Sequence, residues 1–168
     1  MYQQILVAVD DSETSAHAFE TALQLARETG AKLQPLFVVD VPLLAYQTPG
    51  CEPTYARNAL LERGTRVIAD AVASMKRAGV QGTPRIAESD LEANDTAQCI
   101  HRAAADFKAD LVVIGTHGRR GVQRMLLGSV AERFLRIAQC PVLMISAHCA
   151  ESPASELPLA SEAIKEPS

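Results

Sequence analysis

Between residues 115 and 129 the chain reads Gly115-Thr116-His117-Gly118-Arg119-Arg120-Gly121-Val122-Gln123-Arg124-Met125-Leu126-Leu127-Gly128-Ser129. Glycine has no Cβ, so Gly115, Gly118 and Gly121 let a backbone turn sharply and come close to a ligand. Gly128-Ser129 stands where a helical pattern begins. A helix start offers unpaired N–H groups and the positive end of the dipole, and the Ser129 hydroxyl adds a donor. That is a phosphate-binding chemistry. A plainer reading stands beside it, in which Gly118 and Gly121 only turn the chain and Ser129 only caps a helix. Between Gly115 and Arg136, five arginines (Arg119, Arg120, Arg124, Arg133, Arg136) meet one acid, Glu132, a local charge of +4 in a chain of net charge −4. Arg119, Arg120 and Arg124 suit phosphate, although solvated arginines are the commoner outcome.

A second polar cluster, Asp10-Asp11-Ser12, ends the first apolar run. A carboxylate there binds ribose hydroxyls or helps place a metal; alternatively Asp10 caps a helix alongside Asp11. His117 either donates to phosphate or merely occupies its turn. His17, His101 and His148 show no partners in the sequence and read as surface residues. Cys51, Cys99, Cys140 and Cys149 form no CxxC pair, and Cys140, His148 and Cys149 match no zinc spacing, so reduced thiols and no metal site are expected.

These residues need elements to hold them. Ile5 to Val9 is apolar on both faces, as in a strand buried in a parallel sheet. Ser12 is placed to cap a helix with Ala16, Phe19, Leu23 and Ala26 on one face and Gly30 at its end. Leu33 to Val39 reads as a second strand, and Pro42 to Pro53, with three prolines and a glycine, as a loop or flap. A long helix puts Leu60, Leu61, Ile68, Val72 and Met75 on one face and stops at Gly79. Pro84 to Ala87 supports a short edge strand. Asn94 or Asp95 caps a helix that buries Ile100, Ala104 and Phe107, and Leu111 to Ile114 is the clearest strand. Val130, Phe134 and Ile137 mark the buried stripe of a last helix before a fifth strand, Pro141 to Ile145. Strands alternating with helices give an α/β fold, a doubly wound open five-stranded parallel sheet with helices on both faces. In the order 3-2-1-4-5, ligands bind beyond the carboxyl ends of strands one and four, where the direction of winding reverses. Both polar clusters fall there.

With strands and glycines in register, the chain resembles the universal stress protein family. Gly115, Gly118, Gly128 and Ser129 match its nucleotide-binding signature: glycine, any two, glycine, any nine, then glycine followed by serine or threonine. The resemblance covers residues 1–146 and includes Ile5-Leu6-Val7-Ala8-Val9-Asp10, Ser12-Glu13, Val38-Val39-Asp40 and Cys140-Pro141-Val142-Leu143. It implies an ATP site. Asp10, after Ala8 and Val9, lies near the ribose and phosphates, and Val38 beside the adenine. Gly115, His117 and Gly118 wrap the ribose and first phosphates, and Gly128, Ser129 and Val130 hold the rest. It further implies Mg2+ carried by the triphosphate, and a homodimer formed through the fifth strand, Val142 to Ile145.

Composition bounds the function. The 168 residues are 48% hydrophobic and 21% charged, enough to bury one sizeable core. Residues 147–168, rich in Ala, Ser, Pro and Glu, carry four glutamates against one lysine and read as an acidic, flexible tail. Met1-Tyr2-Gln3-Gln4 lacks the character of a signal peptide and no apolar run is long enough to span a bilayer, so a cytoplasmic address is expected, with no membrane partner. The net acidity argues against nucleic acid.

No Gly-Lys-Ser/Thr occurs, no GxGxxG follows the first strand, and no Ser-Gly-Gly loop stands there. No nucleophile and general base face the phosphate site, so no catalytic residue is assigned. A phosphoacceptor receiver domain would share the sheet and an acidic pair like Asp10-Asp11. It needs an aspartate where Gly115 stands and a lysine after the last strand, where Ser146-Ala147-His148 stands. The expected function is a nucleotide-dependent stress-response protein, not an enzyme, in which ATP orders Gly115 to Leu127 and changes the protein partners accepted. The alternatives are a partner-binding scaffold that uses no nucleotide and a slow ATPase or autophosphorylating protein.

Overall fold

The computed structural model describes residues 1–41, 46, 52–89, 95–116 and 127–146. In chain order the elements are β1 (Gln4–Val9), α1 (Glu13–Thr29), β2 (Lys32–Val39), α2 (Pro53–Ala78), β3 (Arg85–Glu88), α3 (Thr96–Phe107), β4 (Leu111–Gly115), α4 (Ser129–Ile137) and β5 (Val142–Ile145). The strands form one parallel sheet in the order β3-β2-β1-β4-β5, the doubly wound arrangement expected from the alternation. The acidic segment 147–168, most of the stretch from Pro42 to Cys51, and Asn94 lie outside the described residues.

Side chains alternate across a strand, so each apolar run supplies two cores at once. Ile5, Val7, Leu33, Phe37, Val39, Leu111 and Val113 pack on one face with Ala18, Ala22 and Ala26 of α1 and Met75 of α2. Leu6, Leu36, Val38, Val112 and Ile114 pack on the other with Ile100 and Ala103 of α3 and Ala131 and Phe134 of α4. The α1 stripe differs from the one expected. Thr14, Ser15, Ala18, Ala22 and Ala26 are buried, whereas Ala16 is exposed and Phe19 and Leu23 only flank the core. Alanines four residues apart seat the helix close to the sheet, and the larger side chains close the sides.

The same displacement occurs in α2. Leu60, Leu61 and Ile68 flank the core, while Gly64, Ala71 and Met75 face it. A Cβ on Gly64 would stand 2.6 Å from Cδ1 of Phe37, a fully buried ring. Gly64→Ala therefore gains about 1 kcal/mol of helix propensity but overpacks a site that cannot yield, at about 1–3 kcal/mol. A lower urea midpoint with an unchanged m-value is the expected result.

Pro35 sits inside β2, where a missing N–H should break a ladder. The β2–β3 ladder is interrupted there: an isolated bridge joins Leu33 to Gly82, and regular pairing resumes at Leu36↔Arg85. The Gln34 side chain bridges the gap, its Nε2 donating to the Thr83 carbonyl at 3.0 Å and to Thr83 Oγ1 at 3.1 Å. Among the described residues no helix is long and apolar enough to cross a membrane. Among the described residues, Cys99 and Cys140 form no disulfide, and burial pushes the Cys140 thiol up, with Asp110 adding to the shift. Cys51 and Cys149 lie outside the described residues.

Candidate functional site

The sheet opens at its carboxyl edge. The ladder between β1 and β4 runs only from Ile5↔Leu111 to Val7↔Val113. Beyond it, β1 stays on β2 as far as Val9↔Phe37, and β4 stays on β5 as far as Gly115↔Ile145. Ala8–Val9 and Ile114–Gly115 therefore flank a cleft between the two central strands, at the reversal of winding. Ala8 and Gly115 are partly exposed there, and Ala8 adds little bulk to its wall.

The turn after β1 is built from its own polar atoms. Asp10 Oδ1 accepts the Ser12 N–H at 2.9 Å, and the Asp10 N–H donates to Ser15 Oγ at 2.7 Å. Ser12 caps α1, its Oγ accepting the Ser15 N–H at 3.2 Å. Asp10 thus closes the turn rather than capping the helix, just beyond the carboxyl end of β1. Asp11 leaves the cap as well, lying 3.4 Å from Arg63 of α2.

On the other wall the Thr116 N–H donates to the Ile145 carbonyl at 2.7 Å, and the Gly128 N–H donates to the Thr116 carbonyl at 2.6 Å. The chain therefore returns at Gly128 to the point it left at Thr116, and α4 starts beside the end of β4. Gly128 is the N-cap, with φ −71° and ψ 151°, an extended conformation open to any residue. Ser129 is exposed and is the first helical residue, so it does not cap α4 as one reading had it. The first helical hydrogen bond joins the Glu132 N–H to the Gly128 carbonyl at 2.9 Å. The N–H groups of Ser129, Val130 and Ala131 thus have no partner within the helix and sit at the positive end of its dipole. The Gly128 N–H is not one of the free donors.

Val38 is buried on the second face of the sheet, opposite Ala87 of β3. Just beyond it, Asp40 accepts from Ser89 Oγ at 3.2 Å and from Thr96 Oγ1 at 3.1 Å. The structure thus brings Ala8, Val9, Asp10, Val38, Gly115, Gly128, Ser129 and Val130 to one edge of the sheet. His117 and Gly118 lie outside the described residues, as do Arg119, Arg120, Arg124 and His148. Arg136 pairs with Glu132 on its own helix at 2.8 Å, and Arg133 reaches Asp95 at 2.7 Å. Asp95 caps α3, as one of the two expected candidates. Its pairing with Arg133 and the partners of Asp40 could not be read from the sequence, because they form only through the fold. His17, expected at the surface, is half-buried, and its Nδ1 is shut from solvent without a hydrogen-bond partner. His101 is half-buried too.

At the outer side of this edge Arg57 of α2 donates from Nε at 2.7 Å and from Nη2 at 2.5 Å to Glu88, the last residue of β3. These hydrogen bonds hold the Glu88 carboxyl below the usual carboxylate range. A carboxyl lowered by folding contributes stability at neutral pH and loses it as pH falls through that lowered range. Glu88→Gln is therefore expected to melt below the parent at pH 7, with the two curves converging in acid.

A separate cavity of about 500 Å³ lies at the opposite, amino edge, between Lys32, Val72, Met75, Lys76 and Pro84, among others. It shares no residue with the cleft. Among the described residues no cluster of His, Cys, Asp and Glu could hold a metal ion.

Comparison with known proteins agrees with this geometry. The family model for the universal stress protein family matches residues 1–146. A universal stress protein of Methanocaldococcus jannaschii is 32% identical over 146 residues, 86% of this chain and 82% of that one. A crystal structure from the same family in Burkholderia pseudomallei is 45% identical with a TM-score of 0.72, covering 86% of this chain and 96% of that chain. A universal stress protein solved in complex with cAMP is 26% identical with a TM-score of 0.57, covering 86% and 97%. The strand order, the parted central strands and a family match through the last strand lead to one assignment: this chain belongs to the universal stress protein family.

Proposed function

We propose that the chain is an adenine-nucleotide-binding regulatory protein whose ligand is ATP, with Mg2+ carried by the phosphates. One observation carries this reading: the cleft between β1 and β4 opens beside a helix start with three N–H groups unused by its helix. A related protein solved with cAMP adds weight. Ala8 and Val9 form the floor, Asp10 takes the ribose side, and the Val38 backbone meets the base. Gly115 leaves room beside the sugar. Ser129 and Val130 donate to phosphate through their N–H groups, and Ser129 adds its hydroxyl. His117 and Gly118 complete the ribose and phosphate contacts, as the family signature implies.

Among the described residues at the cleft, no nucleophile is paired with a base. We read the activity as regulation, in which nucleotide occupancy changes the protein partners accepted. β5 is an edge strand with Val142, Leu143 and Met144 half-exposed, which suits the pairing of two copies. The test is to denature freshly purified protein and identify what is released by mass spectrometry. An adenine nucleotide near one per chain is expected; no nucleotide, together with no heat on titration with millimolar Mg-ATP, would overturn the reading.

A further inference from the structure

Asp95 is only 8% exposed, and a buried carboxylate needs partners. Its two oxygens serve different helices. Oδ1 accepts the Ala97 N–H at 3.0 Å and caps α3, while Oδ2 takes the Arg133 guanidinium of α4 at 2.7 Å. Thr96, the next residue, donates to Asp40 at the end of β2, and Asp40 also accepts from Ser89 just past β3. A chain of polar contacts thus runs along the carboxyl edge from α4 through the start of α3 to the strands beside Val38.

Arg133 stands four residues after Ser129, so the two share one face of α4. Helical side chains lean towards the N-terminus, which brings the Arg133 stem over the first turn. The ion pair therefore grips α4 at the turn that presents the N–H groups of Ser129, Val130 and Ala131. With nine residues, α4 is too short to hold its direction alone.

We propose that Asp95 and Arg133 are positioning residues for the phosphate site: their pairing fixes where the first turn of α4 points, and so sets affinity for the phosphate part of the ligand. The inference rests on reading that turn as the phosphate site. Neither residue needs to touch the nucleotide, and the effect travels through the free N–H groups. Arg133 is 61% exposed at its side chain, so the guanidinium needs Asp95 for orientation more than for desolvation.

The test uses the full chain, emptied of nucleotide, with ATP and adenosine titrated separately by calorimetry. Asp95→Asn is the informative variant, because asparagine still caps a helix well while the charge is lost. Asp95→Asn and Arg133→Gln are each expected to weaken ATP roughly threefold to tenfold, the net worth of about one ordinary hydrogen bond, since the pair acts on the phosphate only indirectly. Adenosine should change less than about twofold in both, since it has no phosphate to misplace. The double variant should be no worse than the weaker single one, as for two halves of one interaction. Arg133→Lys should recover part of the loss. With no ligand present, hydrogen exchange at the Glu132 amide, which closes the first turn of α4, should quicken in both single variants.

Parent-like ATP affinity in both single variants overturns the proposal and leaves the nucleotide site standing. Equal losses for ATP and adenosine also overturn it, because a general loosening does not discriminate by phosphate. A parent chain that binds no ATP overturns the nucleotide reading, and the proposal falls with it.

Discussion

Gly128→Val is expected to abolish measurable ATP binding while leaving the fold in place. The backbone at Gly128 is extended, with φ −71° and ψ 151°, a conformation that valine adopts readily. Glycine makes no side-chain cap bond, so none is lost. Valine is a poorer N-cap than glycine, a cost of about 1 kcal/mol. The consequence for a ligand is larger. Two methyl groups at the N-cap stand beside the N–H groups that an anion must approach. Losing two charge-assisted hydrogen bonds at about 1.5–3 kcal/mol each weakens binding by at least about 100-fold. Calorimetry with Mg-ATP reads that loss, and a melting curve close to that of the parent shows the fold is intact. Undiminished binding by a folded Gly128→Val chain would place the phosphates elsewhere.

Phe134→Ala is expected to have the largest effect on stability. Phe134 is 1% exposed and is, with Ala131, one of the two buried residues that hold α4 to the sheet. Removing a buried phenyl ring costs about 3–5 kcal/mol through lost burial and the cavity left behind. That is a large share of the roughly 5–15 kcal/mol that keeps a domain folded. The same helix carries the proposed phosphate donors, so under that proposal ATP affinity should fall with stability. Leu135, the next residue, is 41% exposed, and Leu135→Ala should change neither property appreciably. Urea unfolding of the two variants makes the comparison. A loss below about 1 kcal/mol in Phe134→Ala would mean that α4 is held by something other than this packing.

Much of the architecture was legible because periodicity in the chain maps directly onto geometry. The runs Ile5 to Val9 and Leu111 to Ile114 are apolar at every position and short, as suits a strand covered on both faces. Gly30 and Gly79 end their helices at φ 72° and 68°, where glycine is favoured over other residues. With the strand order taken as β3-β2-β1-β4-β5, these signals put the Asp10 and Gly115 clusters at one edge of the sheet.

The misses share a cause. The seams of α1 and α2 are built from Ala18, Ala22, Ala26 and Gly64, whose role is to be small, while apolar periodicity draws the eye to Phe19, Leu23 and Leu60. Asp95 and Arg133 are far apart in sequence and pair only after α3 and α4 pack together. Asp40 likewise finds Ser89 and Thr96 across two strands and a helix start. Ser129 was legible as standing at a helix start but not as the first helical residue, because either Gly128 or Ser129 suits the cap position and the sequence does not choose between them. Pro35 was silent for a related reason: its missing N–H falls where the β2–β3 ladder is already broken.

The central claim is one of place: the nucleotide enters the cleft between β1 and β4. The most direct measurement follows the backbone amides of isotope-labelled protein during titration with Mg-ATP. The largest shifts are expected at Ala8, Val9, Asp10, Gly115, Ser129 and Val130, at one edge of the sheet. Shifts confined to Lys32, Lys76 and Thr83, around the cavity at the opposite edge, would contradict the account.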